Sequence, residues 1–162
     1  MASRPGMLRR SSGWLDEHVE WSRPPYRITD RPEELDLDRI HEFLRGSYWA
    51  HGVPRETVER SVRHSLNLGL FQDDRQVGFA RVVSDRATFA YLADVFVLEE
   101  ARGQGLGRWL VETALAHPDL QGLRRWLLAT RDAHALYRKV GFTSLADPTI
   151  LMTIHDPDIY LR

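Results

Sequence analysis

The chain has 162 residues, with 22 Lys+Arg against 23 Asp+Glu and 43% hydrophobic content, so its formal net charge is -1. That length predicts one domain with a sizeable core, the hydrophobic content excludes a disordered chain, and the balanced charge excludes the basic footprint of a non-specific nucleic-acid or membrane-surface binder. There is no cysteine, which removes disulfides, thiolate metal sites and a cysteine nucleophile from this sequence and is compatible with the cytoplasm, the location expected for it.

Residues 1–13 carry Arg4, Arg9 and Arg10, no acid and no apolar h-region, so they do not read as a secretory signal. The expected organisation is a flexible leader over 1–22, including a short amphipathic turn at Trp14–Trp21, followed by a single domain over 23–162. Tyr26–Thr29 reads as a strand. Leu37, Ile40, Phe43 and Leu44 recur at helical spacing up to Gly46, and Pro54, Val58 and Val62 mark a second helix. Leu68–Phe71 and Val77–Val83 form a predicted hairpin across Asp73-Asp74-Arg75. Thr88–Val97 is almost wholly apolar, the pattern of a central strand buried on both faces. A helix through Trp109, Leu110, Ala114 and Leu115 follows, with Trp109 and Trp126 expected in the core. Then come a strand at Trp126–Ala129, a helix at Ala133–Lys139 ended by Gly141, and a last strand at Ile150–Ile154. Helices and strands in this order predict a mixed α+β sheet rather than a regularly alternating doubly wound one.

The chemistry concentrates where the apolar strand runs into Arg102-Gly103-Gln104-Gly105-Leu106-Gly107-Arg108. Glycines let backbone approach a ligand without Cβ atoms in the way, and the first amides of a helix have no partners inside it. Together with the helix dipole and the two arginines, this is a phosphate site. A Walker loop is excluded by the missing Gly-Lys-Ser/Thr ending, and a Rossmann turn by the third glycine arriving one residue early with no well-placed acid downstream. No Gly-x-Ser-x-Gly elbow supports a serine hydrolase, and the seven histidines show no metal-binding spacing, so no metal is expected.

Arg102-x-x-Gly105-x-Gly107 after a strand, followed by Ala133-x-x-x-Tyr137-x-Lys139-x-Gly141-Phe142, resembles the GNAT N-acetyltransferase superfamily over about residues 26–155. Lys139, the one lysine among the 22 cations, lies inside the second motif. The resemblance implies a mixed, mostly antiparallel sheet of about six to seven strands with about four helices, acetyl-CoA as co-substrate, and a small-molecule amine as acceptor. No nucleic acid or membrane partner is expected, and a homodimer is a family habit. It further implies that Val95, Phe96 and Val97 pair with the pantetheine arm, that the amides from Arg102 through Gly103, Gln104, Gly105, Leu106 and Gly107 to Arg108 cradle the pyrophosphate, and that Phe142 and Thr130 belong with this set. Thr130 stands where the family often has Asn.

Tyr137 matches the family's general acid, protonating the departing thiolate, and the oxyanion donor is expected from an amide where the central strand splays near Val95. The base stays open. Asp94, the one acid within the strand, is a candidate for catalysis or for bonding to neighbouring backbone, and a water held by Tyr91 is the alternative. Tyr48 and Trp49 could cage a cationic amine, although core packing is the commoner role for such residues. His134 reads as a solvated helix residue and His117 as a dipole partner at a helix end. The resulting expectation is direct acetyl transfer in a ternary complex; the alternative is a non-catalytic acyl-CoA-binding sensor on the same scaffold.

Overall fold

In the computed structural model, which describes residues 9–10 and 17–162, seven strands lie side by side in chain order. They are β1 (Arg9–Arg10), β2 (Val19–Arg23), β3 (Tyr26–Thr29), β4 (Leu66–Gln72), β5 (Arg75–Ser84), β6 (Phe89–Val97) and β7 (Arg125–Leu127). Every neighbouring pair is antiparallel except β6 and β7, which run parallel. Four helices accompany them: α1 (Leu37–Arg45), α2 (Arg55–Arg63), α3 (Leu106–Ala116) and α4 (His134–Lys139). This is the mixed α+β architecture expected from the order of elements.

Local chemistry sets the helix boundaries. Asp36 caps α1 by accepting from the Arg39 amide at 3.0 Å, and Pro54 precedes α2, where a missing N–H costs nothing. Ile40, Leu44, Val58 and Val62 form the buried stripes of α1 and α2, and they pack on Phe79 and Phe96. On the other face of the sheet, α3 lays Trp109, Leu110, Val111 and Ala114 over Leu68, Leu70, Ala80 and Val82. Phe79 and the adjacent Ala80 thus enter opposite clusters, as the alternation of a pleated strand requires. Trp109 is fully buried as expected, and Trp126 is partly buried against the same cluster.

Three expectations need correction. Residues 19–22 belong to the domain: Val19–Arg23 is a strand, Val19 and Trp21 are buried in the core, and the turn at Pro24-Pro25 joins it to β3. The alternation of Val19 and Trp21 with Glu20 and Ser22 has the strand period of two, so the amphipathic turn expected at Trp14–Trp21 gives way to β2 in its described part. Trp14–Asp16, like most of the expected leader, lie outside the described residues. Secondly, β6 is not buried on both faces. Ala90, Leu92 and Phe96 are buried, but the residues between are only half-buried, because one edge and one face open onto cavities. Thirdly, Ile150–Ile154 forms no strand: Asp147 caps a single turn over Pro148–Ile150, the Leu151 amide closes it onto the Pro148 carbonyl, and no described strand pairs with the residues after it. An apolar pattern allows a strand, but only a free edge in register makes one. His117, read as a dipole partner, closes α3 as its C-cap residue. It is buried, its Nδ1 accepts from the Asp119 amide at 3.1 Å, and its Nε2 lies 2.8 Å from Asp30 Oδ2.

Candidate active site

The site begins with a fault in the sheet. In the β5–β6 ladder Phe79 faces Phe96 but Arg81 faces Ala93, so β6 carries one residue more than its partner. The excess sits at Asp94 and Val95, and Asp94 takes a left-handed φ of 52°. A non-glycine residue in that region is sparsely populated and needs its surroundings to hold it there. The bulge takes the backbone at this point out of the ladder, where the splaying of the central strand was expected.

A second gap lies on the other edge of β6. Its parallel pairing with β7 covers only Phe89–Arg125, Ala90–Trp126 and Tyr91–Leu127. Beyond Tyr91 the two strands part, and the edge of β6 over Val95–Val97 faces a cleft of about 400 Å³. Of the ten residues expected from the strand and the glycine turn, nine line this cleft: Val95, Phe96, Val97, Arg102, Gly103, Gly105, Leu106, Gly107 and Arg108. Gln104 does not; its side chain accepts from the Tyr26 hydroxyl at 3.0 Å. Gly103 and Gly105 have φ of +81° and +74°, a region glycine enters without penalty. Among the described residues, no amide from Gly103 to Arg108 has a hydrogen-bond partner, and α3 has no side-chain cap. A row of unpaired N–H groups at a helix N-terminus is suited to a polyanion. The two arginines serve the frame: Arg102 Nε bonds the Val97 carbonyl at 2.9 Å, and Arg108 Nε bonds Glu112 at 2.7 Å.

A larger cavity of about 540 Å³ opens on the α1–α2 side of the bulge. Tyr48, Trp49, Tyr91 and Asp94 all line it, so the residues suspected of acceptor and base roles are brought together. Tyr48 and Trp49 are exposed rather than packed in a core, at 46% and 41%. Both Asp94 oxygens are engaged, Oδ2 by Arg81 Nε at 2.7 Å and Oδ1 by Trp49 Nε1 at 3.0 Å. The Arg131 guanidinium stacks 3.9 Å from the centre of the Tyr48 ring, and the Tyr48 hydroxyl accepts from the Arg131 amide at 3.1 Å.

Tyr137 stands where the two spaces meet: with Val95 and Ala133, it lines both the cleft and the larger cavity. Burial pushes its pKa up to about 12, with help from Tyr48 and the Asp132 charge. The phenol therefore keeps its proton across the physiological range. Phe142 packs edge-on behind it at 5.9 Å and does not line the cleft. Thr130 lines the larger cavity while its hydroxyl accepts from the Ala133 amide at 3.0 Å, just ahead of α4. His134 is exposed and borders a separate hollow beside β7.

Sequence reasoning missed Arg81, Arg131, Asp132 and Tyr160 in the larger cavity and Leu136 in the cleft, and it quoted Ala133 and Lys139 as motif positions without assigning them to the site. The helical spacing of Ala133 and Leu136 around Tyr137 could have placed both at the site. No group of three or more His, Asp or Glu among the described residues could hold a metal ion, and no described helix is long and apolar enough to cross a membrane.

Comparison with known proteins agrees with this geometry. A family model described as the acetyltransferase (GNAT) family matches residues 15–142. A solved structure from Xanthomonas campestris pv. campestris, described as a possible acetyltransferase of that family, is 48% identical with a TM-score of 0.82, covering 86% of this chain and 99% of that one. The chain is also 31% identical over 112 residues to a protein of Gibberella zeae named as a candidate acetyltransferase, and 30% identical over 139 residues to the chloroplastic GCN5-related N-acetyltransferase 2 of Arabidopsis thaliana. These matches cover 57% and 83% of this chain, but only 63% and 48% of the two relatives' own lengths.

Proposed function

This chain belongs to the acetyltransferase (GNAT) family, and from that premise we propose that it moves an acetyl group from acetyl-CoA to a primary amine by direct transfer, with Tyr137 as the proton donor. One observation carries the reading: the Tyr137 phenol borders both the cleft under the glycine turn and the larger cavity, at the point where two substrates would meet.

The residues present fit the co-substrate. The unpaired amides of Gly103 to Arg108 suit a pyrophosphate, and the open edge of β6 over Val95–Val97 suits an amide-bearing arm that adds to the sheet as a strand does. Bound there, acetyl-CoA supplies an activated thioester carbonyl. The bulge at Asp94–Val95 frees backbone to donate toward the charge that develops on that oxygen. The Trp49 and Tyr48 rings wall the side from which an amine would enter, and the amine must shed a proton for its nitrogen to bond to carbon. As the carbon–sulfur bond breaks, Tyr137 gives its proton to sulfur and is reprotonated from solvent. With no cysteine in the 162 residues, no cysteinyl acyl-enzyme can form on this chain, which supports the one-step route.

A thiol-release assay against a panel of primary amines tests the reading. Acetyl-CoA-dependent thiol release with at least one amine, without a pre-steady-state burst, is the expected result. Tight acetyl-CoA binding with no amine accepted would favour the acyl-CoA sensor instead.

A further inference from the structure

The larger cavity contains a chain of contacts that the proposed transfer chemistry leaves unused. Arg81 lies on β5 and is mostly buried, with 18% of its side chain exposed; Asp94, on the bulge of β6, shows 11%. From that position Arg81 Nη1 donates to Ser65 Oγ at 3.1 Å, while its Nε donates to Asp94 at 2.7 Å. Ser65 in turn donates to the Ser61 carbonyl at 2.7 Å, in the last turns of α2. Asp94 then accepts from the Trp49 indole at 3.0 Å, in the loop between α1 and α2. Four polar contacts thus run from α2, through β5 and the bulge, to the aromatic wall.

Each link does something that packing alone would not. Trp49 is 41% exposed, with the Tyr48 ring edge-on at 5.1 Å and Phe43 tilted at 6.2 Å, and its hydrogen bond to a carboxylate adds a directional hold. Asp94 sits at φ 52°, a conformation that persists only where its side chain and neighbours hold it. A carboxylate that is nearly buried would lose most of its solvation without a cation beside it, and Arg81 is the cation within reach. Asp94 is therefore engaged on both oxygens, which makes it an anchor between β5 and the aromatic wall.

We propose that Arg81 is a positioning residue for the acceptor half of the site: by holding Asp94 it fixes the Trp49 ring, so amine use depends on Arg81 far more than acetyl-CoA binding does. The assignment rests on the acyl-transfer reading of this cavity. Its geometry supports the split, because neither Arg81 nor Trp49 lines the cleft beneath the glycine turn.

The test compares Arg81→Leu, Arg81→Lys and Trp49→Phe in the full chain. It reads acetyl-CoA affinity by calorimetry, the Trp49 indole N–H resonance by NMR, and kcat/KM for the best amine of the panel. Arg81→Leu should displace or broaden the Trp49 resonance and lower kcat/KM for the amine by about tenfold or more, with acetyl-CoA affinity nearly unchanged. Arg81→Lys should recover part of the loss, because an ammonium can still reach Asp94 but not span to Ser65 in the same fork geometry. Trp49→Phe, in an exposed loop, removes only the last contact and should reproduce the amine defect if Arg81→Leu does not fold. An unmoved Trp49 resonance with unchanged amine kinetics overturns the assignment, and so does an equal loss of acetyl-CoA affinity. A wild-type protein that fails to bind acetyl-CoA overturns the acyl-transfer reading instead, and the Trp49 resonance then still decides whether Arg81 holds that ring.

Discussion

At Tyr137 the same burial that places the phenol between two cavities also fixes its protonation. With its pKa raised to about 12, it is a donor at every physiological pH, so no alkaline loss of activity below pH 10 should trace to it. Tyr137→Phe should lower turnover by about 10²- to 10⁴-fold while leaving acetyl-CoA affinity nearly intact, as steady-state kinetics and calorimetry on the same preparation would register. Unchanged turnover would remove Tyr137 from the mechanism. The raised value also has a consequence for stability. A group held neutral in the fold stabilises fully below its unfolded pKa of about 10, and that contribution fades as pH climbs through about 12. Tyr137→Phe should therefore flatten the alkaline edge of a stability profile. The Tyr-x-Lys-x-Gly-Phe motif marks Tyr137 in the sequence because helix, cap and phenol must sit at one spacing. Arg81 carries no such mark. It meets Asp94 across a bulge, and a one-residue slip in a ladder leaves no trace in residue types.

Among the elements, the turn into α3 is the most open to a clean test. Gly105 is the N-cap, at φ +74°, and a Cβ built there meets nothing within 4 Å. Gly105→Glu costs about 1 kcal/mol of left-handed strain, and an acid at a helix start is otherwise favourable. The protein should stay folded while the new carboxylate occupies the amides that a pyrophosphate would use on the proposed reading. Calorimetry should show acetyl-CoA binding lost and circular dichroism an intact fold; retained affinity would place the phosphates elsewhere. Most elements could be read directly from residues, because α1 and α2 carry a helical period with a cap or proline at the start and β3 to β6 are largely apolar runs bounded by turns. The exceptions follow from tertiary pairing. The period of Val19 and Trp21 has strand meaning only once β3 lies beside it, and Ile150–Ile154 keeps a strand's composition with no edge to join. β6 reads as doubly buried because its composition is apolar, yet its half-exposed faces are the walls of the site.

For the whole molecule, Asp30 ties the helical layer to the sheet. Following β3, it bonds His117 at the end of α3, accepts from the Val19 amide at 2.8 Å and lies 3.2 Å from His18. Burial alone would raise its pKa, but the His117 hydrogen bond, the Val19 amide and the two histidine charges outweigh it, and the net shift is downward. A depressed carboxylate stabilises above its unfolded pKa of about 3.9 and loses that contribution as pH falls through the lower folded value. His117→Ala should cost about 1–3 kcal/mol in urea unfolding at neutral pH, since it strands a nearly buried acceptor. The mutant's deficit should shrink on acidification; a deficit independent of pH would mean that Asp30 is not the partner that matters. The gap between β6 and β7 works in the opposite sense. Three ladder pairs close one end of a sheet whose other end is left open, so the chain folds with part of its hydrogen-bonding capacity uncommitted. On the proposed reading, acetyl-CoA is then the missing strand as well as a reagent, and occupancy becomes a form of folding energy. At a hundredfold excess over Kd that is about 2.7 kcal/mol, or roughly 5–10 °C in Tm for a chain of this size. Free CoA, which has the same arm and phosphates, should protect almost as well in a thermal melt, and a nucleotide without the arm should not. The lifetime of this protein would then rise and fall with the supply of the molecule it consumes.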